Sequence, residues 1–536
     1  MKIRMFILSL VAIAGAMAAV AQSSDAVLRD KMTNAVMKVY DEHLAQNPND
    51  YNILFARAHQ HYYNGDYTAA LADVNQAMML TPKTDKELRF DEYILRARIS
   101  DARKDYVGEL ADLRLAQELE PKSLACTDLI AKANLKAGNL DAAEKAFKTI
   151  LRAESINYDA MYGLALVEQA RGNNKAAIEH ATKAVELFKI EPQVYVNRAD
   201  IFKRQDNVDA AVQDLVSGMA VGDGGKAAQE LFALSDTKYD AVMNALDQMA
   251  GKSNDSGAGG VLRYLRANVA LDHSRYDQAL RELNYIRNNN MYTGATVDYG
   301  IAKCYTELGR YDEALPYANK AIQSDPMQPD YYFVKAIAEY YAGGGGHTDD
   351  AMETLRRCSV IAPQYVPMLL AKAALLIHQG NDNQALGYLN AAVANDPGNG
   401  EALFTRAMLF KRLNKQELAD RDLNTMLLLD NDAYDLKGLA QSELGRDNDA
   451  LGWVQQITSN VLPGGENYYY AALLMAFRGD NYKAMEYLNK AVEMGYASLH
   501  RLKNDVLAPV SLQSLRHEPG FDLLIDKAQP NFVEKL

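Results

Sequence analysis

The sequence predicts an all-α fold built from antiparallel helix hairpins that repeat along the chain. Similar segments recur about every 34 residues, and runs of alternating β-branched residues that would indicate strands are nearly absent. The chain has 536 residues, which is more than one hydrophobic core normally supports. We therefore expect an array of about 12 to 13 stacked units rather than one globular domain.

Each copy of the repeat contains two amphipathic helical patterns joined by a short turn. The turns are rich in Gly, Asp and Asn, as in Gly65-Asp66-Tyr67 and Gly309-Arg310-Tyr311. Several copies close with a proline that ends the pair, such as Pro82. The copies begin near Tyr51, Phe90, Leu124, Tyr158, Pro192, Gly260, Ala295, Pro329, Val366, Gly400, Asn431 and Gly465.

Small residues occupy one fixed place in each helix of the pair. The first helices carry Ala58, Ala97, Ala131, Ala165, Ala199, Ala267, Ala302, Ala336, Ala373, Ala407, Gly438 and Ala472. The second helices carry Ala70, Glu109, Ala143, Ala177, Ala211, Ala279, Ala314, Ala351, Ala385, Ala419, Ala450 and Ala484, so only Glu109 departs. A larger side chain where two helices touch would cost roughly 1–3 kcal/mol, so this register predicts close helix contact.

These turns, small residues and closing prolines closely resemble the tetratricopeptide repeat family. The resemblance extends from about Asp50 to Tyr496. It implies a right-handed superhelical solenoid whose first helices line a concave groove that binds partners.

Five copies share a pair of opposite charges that the other copies lack. An arginine stands directly before the small residue of the first helix, and an acid stands in the second helix. We predict that these residues form structural ion pairs inside single repeats. The pairs are Arg57 with Asp73, Arg96 with Asp112, Arg198 with Asp214, Arg266 with Glu282, and Arg406 with Asp422.

The start of the chain has the plan of a secretory signal. Lys2 and Arg4 precede an uncharged stretch that ends in Ala19-Val20-Ala21. We expect cleavage after Ala21 and export to the periplasm or the cell exterior, in a Gram-negative-type envelope. No later apolar run approaches membrane-spanning length, so no stable span is expected after the signal is removed.

The remaining chain divides by its repeats. The predicted segments are a signal peptide at 1–21, an N-terminal capping helix at 22–50, a first block of five repeats at 51–225, a degenerate repeat or hinge at 226–259, a second block of seven repeats at 260–496, and a C-terminal helical cap at 497–536.

Composition and motifs give no support for catalysis, a metal or a cofactor. The net charge of −13 argues against nucleic acid as the main partner, because phosphate binding needs clustered cations. The three cysteines are too widely spaced for a disulfide framework or a zinc site. Gly251-Lys252-Ser253 lacks the first glycine of a phosphate-binding loop, and His59 and His61 diverge around their helix.

The sequence therefore predicts a non-catalytic scaffold that holds a protein or peptide segment in the groove. Candidate contact residues are Phe55, His59, Tyr62 and Tyr63 in the first block, and Tyr264, Tyr299, Lys303, Asp330, Phe333, Tyr340 and Tyr341 in the second. The second block's lining carries an excess of acids, which favours a basic or amphipathic segment. These acids are Asp272, Glu307, Asp330, Glu401, Asp432, Asp435, Glu443 and Glu466.

Two other interpretations stay open. The tyrosines of the second block could simply fill the aromatic places usual in such repeats. An envelope glycan-binding protein, or an enzyme accessory that uses the solenoid as its body, is the alternative function. The sequence does not decide the oligomeric state or the identity of the partner.

Overall fold

The structure is a computed structural model that describes residues 36–222, 224–253, 256–291, 294–429, 436–459, 464–504 and 507–528. Regular structure within these residues is helical and includes no strand, so the predicted all-α class is confirmed. The predicted signal peptide at 1–21 and the first part of the capping helix lie outside the described residues, as do Asn431, Asp432 and Asp435. None of the described helices is both long enough and apolar enough to cross a bilayer.

The first of two compact units ends at Leu231. Its helices are α1 (36–46), α2 (Tyr51–Tyr63), α3 (Tyr67–Leu80), α4 (Lys86–Ala102), α5 (Tyr106–Leu119), α6 (Leu124–Lys136), α7 (Leu140–Ala153), α8 (Tyr158–Ala170), α9 (Asn174–Leu187), α10 (Pro192–Arg204) and α11 (Val208–Val221). Helix α12 (Gly225–Lys252) begins in this unit and ends in the next.

The second unit begins at Phe232. Its further α-helices are α13 (Ser256–Asp272), α14 (Tyr276–Asn288), α15 (Ala295–Glu307), α16 (Tyr311–Ser324), α17 (Pro329–Tyr341), α18 (Thr348–Ile361), α19 (Val366–His378), α20 (Asp382–Asn395), α21 (Gly400–Arg412), α22 (Gln416–Leu428), α23 (Lys437–Glu443), α24 (Asp447–Thr458), α25 (Gly465–Phe477), α26 (Asn481–Glu493) and α27 (Phe521–Ala528). Short 3₁₀ turns span Ala342–Gly344 and Leu512–His517, and one π-helical turn spans His500–Asn504.

Local sequence explains where the hairpins turn. Asp50 accepts hydrogen bonds from Asn52 N and Ile53 N at the start of α2, and Asp66 accepts one from Ala69 N at the start of α3. Gly65 lies between these helices with φ of +77°, a conformation that glycine adopts without strain. A positive φ recurs at most of the described hairpin turns. At Lys104, Asp206 and Gly479 it is again followed by a residue whose side chain caps the next helix, namely Asp105, Asn207 and Asp480.

The fixed small residues lie where the paired helices touch. Ala58 of α2 and Ala70 of α3 are fully buried and share one core cluster with Val74 and Leu95. Glu109 is also buried, although it is an acid at a place where the other copies carry alanine. Each hairpin therefore contributes a short stretch to the core of its unit.

The predicted degenerate repeat or hinge at 226–259 lies mostly in α12, in which two helical parts meet at a kink at Lys238, and its last residues begin α13. Ser235 Oγ lies 2.9 Å from His273 Nε2, and the Tyr239 hydroxyl donates to Gln278 Oε1 at 2.6 Å. The later part of this segment therefore packs against the first hairpin of the second unit.

The C-terminal residues close the second unit. Leu512, Leu515, Phe521 and Leu524 are buried in the same core as the helices from α21 to α26. Burial of these side chains covers the apolar face that the last hairpin would otherwise expose to water.

Candidate functional site

An aromatic surface lies on α2 of the first unit, and we call its four residues, Phe55, His59, Tyr62 and Tyr63, the first-unit ladder. The Phe55 and His59 rings meet edge to face at 4.7 Å, and the His59 and Tyr63 rings stack at 6.2 Å. Tyr62 contacts Tyr63 at 5.7 Å. Tyr63 is 71% exposed, so the ladder offers an aromatic face to solvent.

His59 connects the ladder to the next first helix, α4. Burial lowers the pKa of His59, and the positive charge of Arg98 adds to this effect, while Asp91 opposes it. The imidazole is therefore neutral at pH 7. Asp91 and Arg98 are exposed, so one acid and one base stand beside the aromatic rings. This surface can make apolar, hydrogen-bonding and ionic contacts at once.

A second group of predicted residues meets in the second unit, where Tyr299, Asp330, Tyr331 and Tyr365 form what we call the acid–tyrosine cluster. The Tyr299 and Tyr331 rings lie 4.9 Å apart, and the Tyr365 hydroxyl donates to Asp330 Oδ1. Burial and the charge of Asp330 raise the pKa values of Tyr299 and Tyr365, so both phenols stay protonated.

Sequence reasoning identified Tyr299 and Asp330 but missed Tyr331 and Tyr365. Tyr331 follows Asp330 directly, and Tyr365 stands just before α19 begins, outside the two helices of its repeat. Tyr365 lies 35 residues after Asp330, close to the repeat length, and this spacing could have indicated that the two residues meet in neighbouring repeats.

The other predicted residues of the second unit are less accessible. Tyr264 is buried, with 6% of its surface exposed. Phe333 packs beside the core alanines Ala302 and Ala318, and Lys303 is half-buried on α15. Tyr264 and Phe333 therefore serve packing more than surface recognition.

Tyr340 and Tyr341 are also covered, and they belong to a tyrosine–histidine cluster with Tyr311 and His500. Their exposed fractions are 2% and 7%. Tyr341 stacks on Tyr311 at 5.1 Å and meets His500 edge to face at 4.9 Å. Tyr340 lies against Tyr341 and His378. A partner can reach the face of Tyr341 that meets His500 only after the segment that carries His500 has moved. No local periodicity could reveal this contact, because His500 lies 189 residues after Tyr311.

All five arginines named in the sequence analysis contact the acid sixteen residues later. Four of them donate from both Nε and Nη2 to the two oxygens of one carboxylate, at 2.6–2.8 Å. The fifth, Arg266, contacts Glu282 through Nη1, and Arg263 donates to the other oxygen at 2.9 Å. The pairs join the two helices of one hairpin.

One group of side chains resembles a metal site in its composition. Ligand atoms of Asp236, Asp272 and His273 lie within 4.8 Å of one another. His273 Nε2 is 3.7 Å from Asp236 Oδ1, but it already lies 2.9 Å from the Ser235 hydroxyl. We assign no metal here, because the nitrogen that faces the acid is engaged by a serine.

The cysteines offer no activated nucleophile among the described residues. Cys126, Cys304 and Cys358 are all buried and unbridged. Burial raises the pKa values of the Cys126 and Cys358 thiols to about 11, so both stay protonated at neutral pH.

Two stretches, residues 129–192 and 264–329, match a family model described as the tetratricopeptide repeat. The hairpins in these two stretches are similar to tetratricopeptide repeats. The matched stretches fall in both units, and the same hairpin geometry continues outside them.

Curated relatives match parts of this repeat array. A co-chaperone of Fusarium oxysporum f. sp. lycopersici with tetratricopeptide repeats and a J domain is 37% identical over 14% of this chain and 16% of its own length. The Hsp70-Hsp90 organizing protein of Triticum aestivum is 22% identical over 48% of this chain and 45% of its own length. The chain thus spans less than half the length of these relatives.

Solved structures are similar over different shares of the chain. The APC/C hetero-tetramer Cut9-Hcn1 is 14% identical, covers 89% of this chain and 96% of the matched chain, and has a TM-score of 0.34. A tetratricopeptide-repeat protein of Thermus thermophilus is 20% identical, with 34% and 98% covered and a TM-score of 0.31.

Proposed function

We propose that this repeat chain is a non-catalytic scaffold of the cell envelope that binds a segment of another protein along its first helices. The observation that carries the proposal is the exposure of the first-unit ladder. Tyr63 is 71% exposed, while its ring and those of Phe55 and His59 are held by mutual contacts. Aromatic side chains fixed in this way lose little entropy on binding and often dominate interface energies.

Charge beside the ladder favours a partner segment with both apolar and charged residues. Asp91 and Arg98 stand on α4 next to His59 and offer both signs of charge. In the second unit, the excess of acids supports a basic or amphipathic segment. The tetratricopeptide co-chaperone and organizing protein among the relatives agree with a scaffold role.

Export is part of the proposal and has its own test. Lys2, Arg4 and Ala19-Val20-Ala21 support cleavage after Ala21. Expression of the full chain in a Gram-negative host, followed by fractionation and N-terminal sequencing, should recover a protein that starts at Gln22 outside the cytoplasm. Recovery of an intact chain from the cytoplasm would contradict export.

Affinity capture tests the binding role. The chain from Gln22 onward is used as bait in envelope extract, beside a variant that combines His59→Ala with Tyr63→Ala. The matched control is Tyr482→Ala, which removes a tyrosine of α26 that is 82% exposed, against 71% for Tyr63. The proposal expects a protein that the parent and the control retain and the double variant loses. Equal capture by all three baits would overturn the ladder as the site.

Capture of an oligosaccharide in place of a protein would favour the glycan-binding alternative. The same baits can be screened against envelope glycans.

A further inference from the structure

The second unit holds a segment of its own chain that is not part of any repeat. Residues 496–503, which we call the closing segment, follow α26 and include most of the π-helical turn at His500–Asn504. This segment returns to hairpins that lie almost two hundred residues earlier. Ser498 contacts Glu307 across a separation of 191 residues, and His500 contacts Tyr311 across 189.

Specific polar contacts hold the closing segment. The buried Ser498 hydroxyl donates to Glu307 Oε2 at 2.7 Å. Arg501 Nη1 donates to Glu466 Oε1 at 3.2 Å and to the Tyr470 hydroxyl at 3.1 Å. His500 Nδ1 lies 2.9 Å from the Tyr311 hydroxyl.

Apolar contacts complete the fit. Tyr496 is 2% exposed and stacks on Tyr469 at 4.7 Å, and Leu502 is also buried. Such burial is the main source of affinity in a short segment, since exposed ion pairs contribute little. The Arg501 and Glu466 side chains are 36% and 40% exposed, so water reaches the ionic part of the site.

The segment and its receptor are complementary in charge. Residues 496–503 include His500, Arg501 and Lys503 and no acid. The receptor contributes Glu307 and Glu466. Burial raises the pKa of Glu307, but the charges of Arg501 and His500, the Ser498 hydrogen bond and Lys303 outweigh it and lower the pKa below its usual value. Glu307 is therefore ionised at neutral pH, and its charge faces the basic segment.

We infer that Glu307, Tyr311, Tyr341, Glu466 and Tyr470 form an acceptor for short basic segments, and that the closing segment is its resident occupant. A partner that competes for this acceptor carries an arginine that follows a histidine and precedes a leucine, with a serine three positions before the arginine. The inference rests on the proposed scaffold function and names the chemistry of one partner. The resident segment acts as a competitor, because a tethered ligand has an effective concentration of the order of millimolar.

A peptide with the sequence of residues 496–503, labelled with a fluorophore, tests the acceptor by anisotropy. The full chain with His500→Ala and Arg501→Ala should bind this peptide about a hundredfold more tightly than the parent, because its own segment competes less. Adding Glu307→Gln should weaken binding at least about fivefold. A peptide with alanine in place of its arginine should not compete.

Thermal unfolding by circular dichroism checks that the variants fold. The inference would be overturned if the folded double variant showed no saturable peptide binding. It would also be overturned if Glu307→Gln left the peptide affinity unchanged. If the double variant does not fold, hydrogen exchange of the parent replaces it. Millimolar peptide should then speed the exchange of amides in residues 496–503, and unchanged exchange would also overturn the inference.

The two proposals fail separately. If the peptide does not bind but capture of a protein still depends on the ladder, only the proposed acceptor is wrong. Peptide binding without any captured protein removes the proposed scaffold function and leaves the acceptor as a site that the chain fills itself.

Discussion

Arg406 donates two hydrogen bonds to one carboxylate, from Nε to Asp422 Oδ2 at 2.7 Å and from Nη2 to Asp422 Oδ1 at 2.8 Å. The side chain of Asp422 is 4% exposed and that of Arg406 is 13% exposed. A pair so well covered carries a desolvation cost that its two hydrogen bonds offset. Removal of one partner therefore leaves the other charge poorly compensated.

We expect Asp422→Ala to lower the free energy of unfolding by about 2 kcal/mol, because Arg406 then loses its carboxylate partner and keeps the neutral amide oxygen of Asn390 as an acceptor. The double variant with Arg406→Met and Asp422→Leu should recover most of this loss, since similar apolar side chains fill the space without a buried charge. Urea unfolding followed by circular dichroism measures both. A double variant as unstable as the single would show that the pair is needed for more than charge balance.

Glu109 makes the first unit sensitive to pH. It is 5% exposed, and its Oε2 atom has no hydrogen-bond partner among the described residues. Burial raises the pKa of Glu109 to about 7, and the charge of Asp101 adds to this rise while Lys136 opposes it. The folded state thus holds the proton more tightly than the unfolded state, whose pKa is about 4.3.

The stability that protonated Glu109 contributes is full below a pH of about 4.3 and is lost as the pH rises through about 7. We expect Glu109→Ala to be more stable than the parent at pH 8, by about 1–2 kcal/mol, and to lose this advantage at pH 4. The exposed Glu118 on the same helix supplies the control, because Glu118→Ala should show no such change between the two pH values. If the free energies of unfolding of the parent and Glu109→Ala changed in parallel between pH 4 and pH 8, the prediction would be wrong.

The sequence predicted those parts of the molecule that repeat. Ala58 and Ala70 recur at fixed places, and the spacing of sixteen between Arg57 and Asp73 occurs in five copies, so comparison of copies reveals both. The contact of Ser498 with Glu307 belongs to one place in the chain, outside the repeat, and has no second copy to compare. The contact of Tyr341 with His500 could not be predicted for the same reason.

Gly495 is the point where the second unit returns to its first hairpin. Its φ is +87°, and a Cβ atom there would lie 1.3 Å from Arg275 Nη1. Gly479 has a similar φ of +78°, but a Cβ atom there would meet nothing within 4 Å. The two glycines therefore share backbone strain on substitution and differ in the contact with Arg275.

We expect Gly479→Ala to cost about 1–2 kcal/mol, because alanine is strained at positive φ. Gly495→Ala should cost more, since the guanidinium of Arg275 must also move. In the background of Arg275→Ala the two substitutions should cost the same. Thermal unfolding of the parent, Arg275→Ala and the four glycine variants gives the comparison. If Gly495→Ala still costs more than Gly479→Ala without Arg275, the clash lies elsewhere.

Trp453 occupies in α24 the place that Asp422 occupies in α22, three residues after the small alanine of the second helix. Its partner on the first helix is Gly438, where a Cβ atom would lie 2.3 Å from the indole Cε3. The hairpin thus replaces an ion pair by an aromatic ring packed on a glycine. The tryptophan is 5% exposed, so it has little room to shift.

We expect Gly438→Ala to destabilise the second unit by about 1–3 kcal/mol, although alanine stands at this place in the other copies. Combining it with Trp453→Leu should cost less than the sum of the two single changes, because the smaller side chain makes room for the methyl group. Gly452→Ala in the same hairpin is the control, since its Cβ atom would meet nothing within 4 Å and alanine favours the helix by up to about 1 kcal/mol. Equal effects of the two glycine substitutions in urea unfolding would show that the indole does not set the size limit at Gly438.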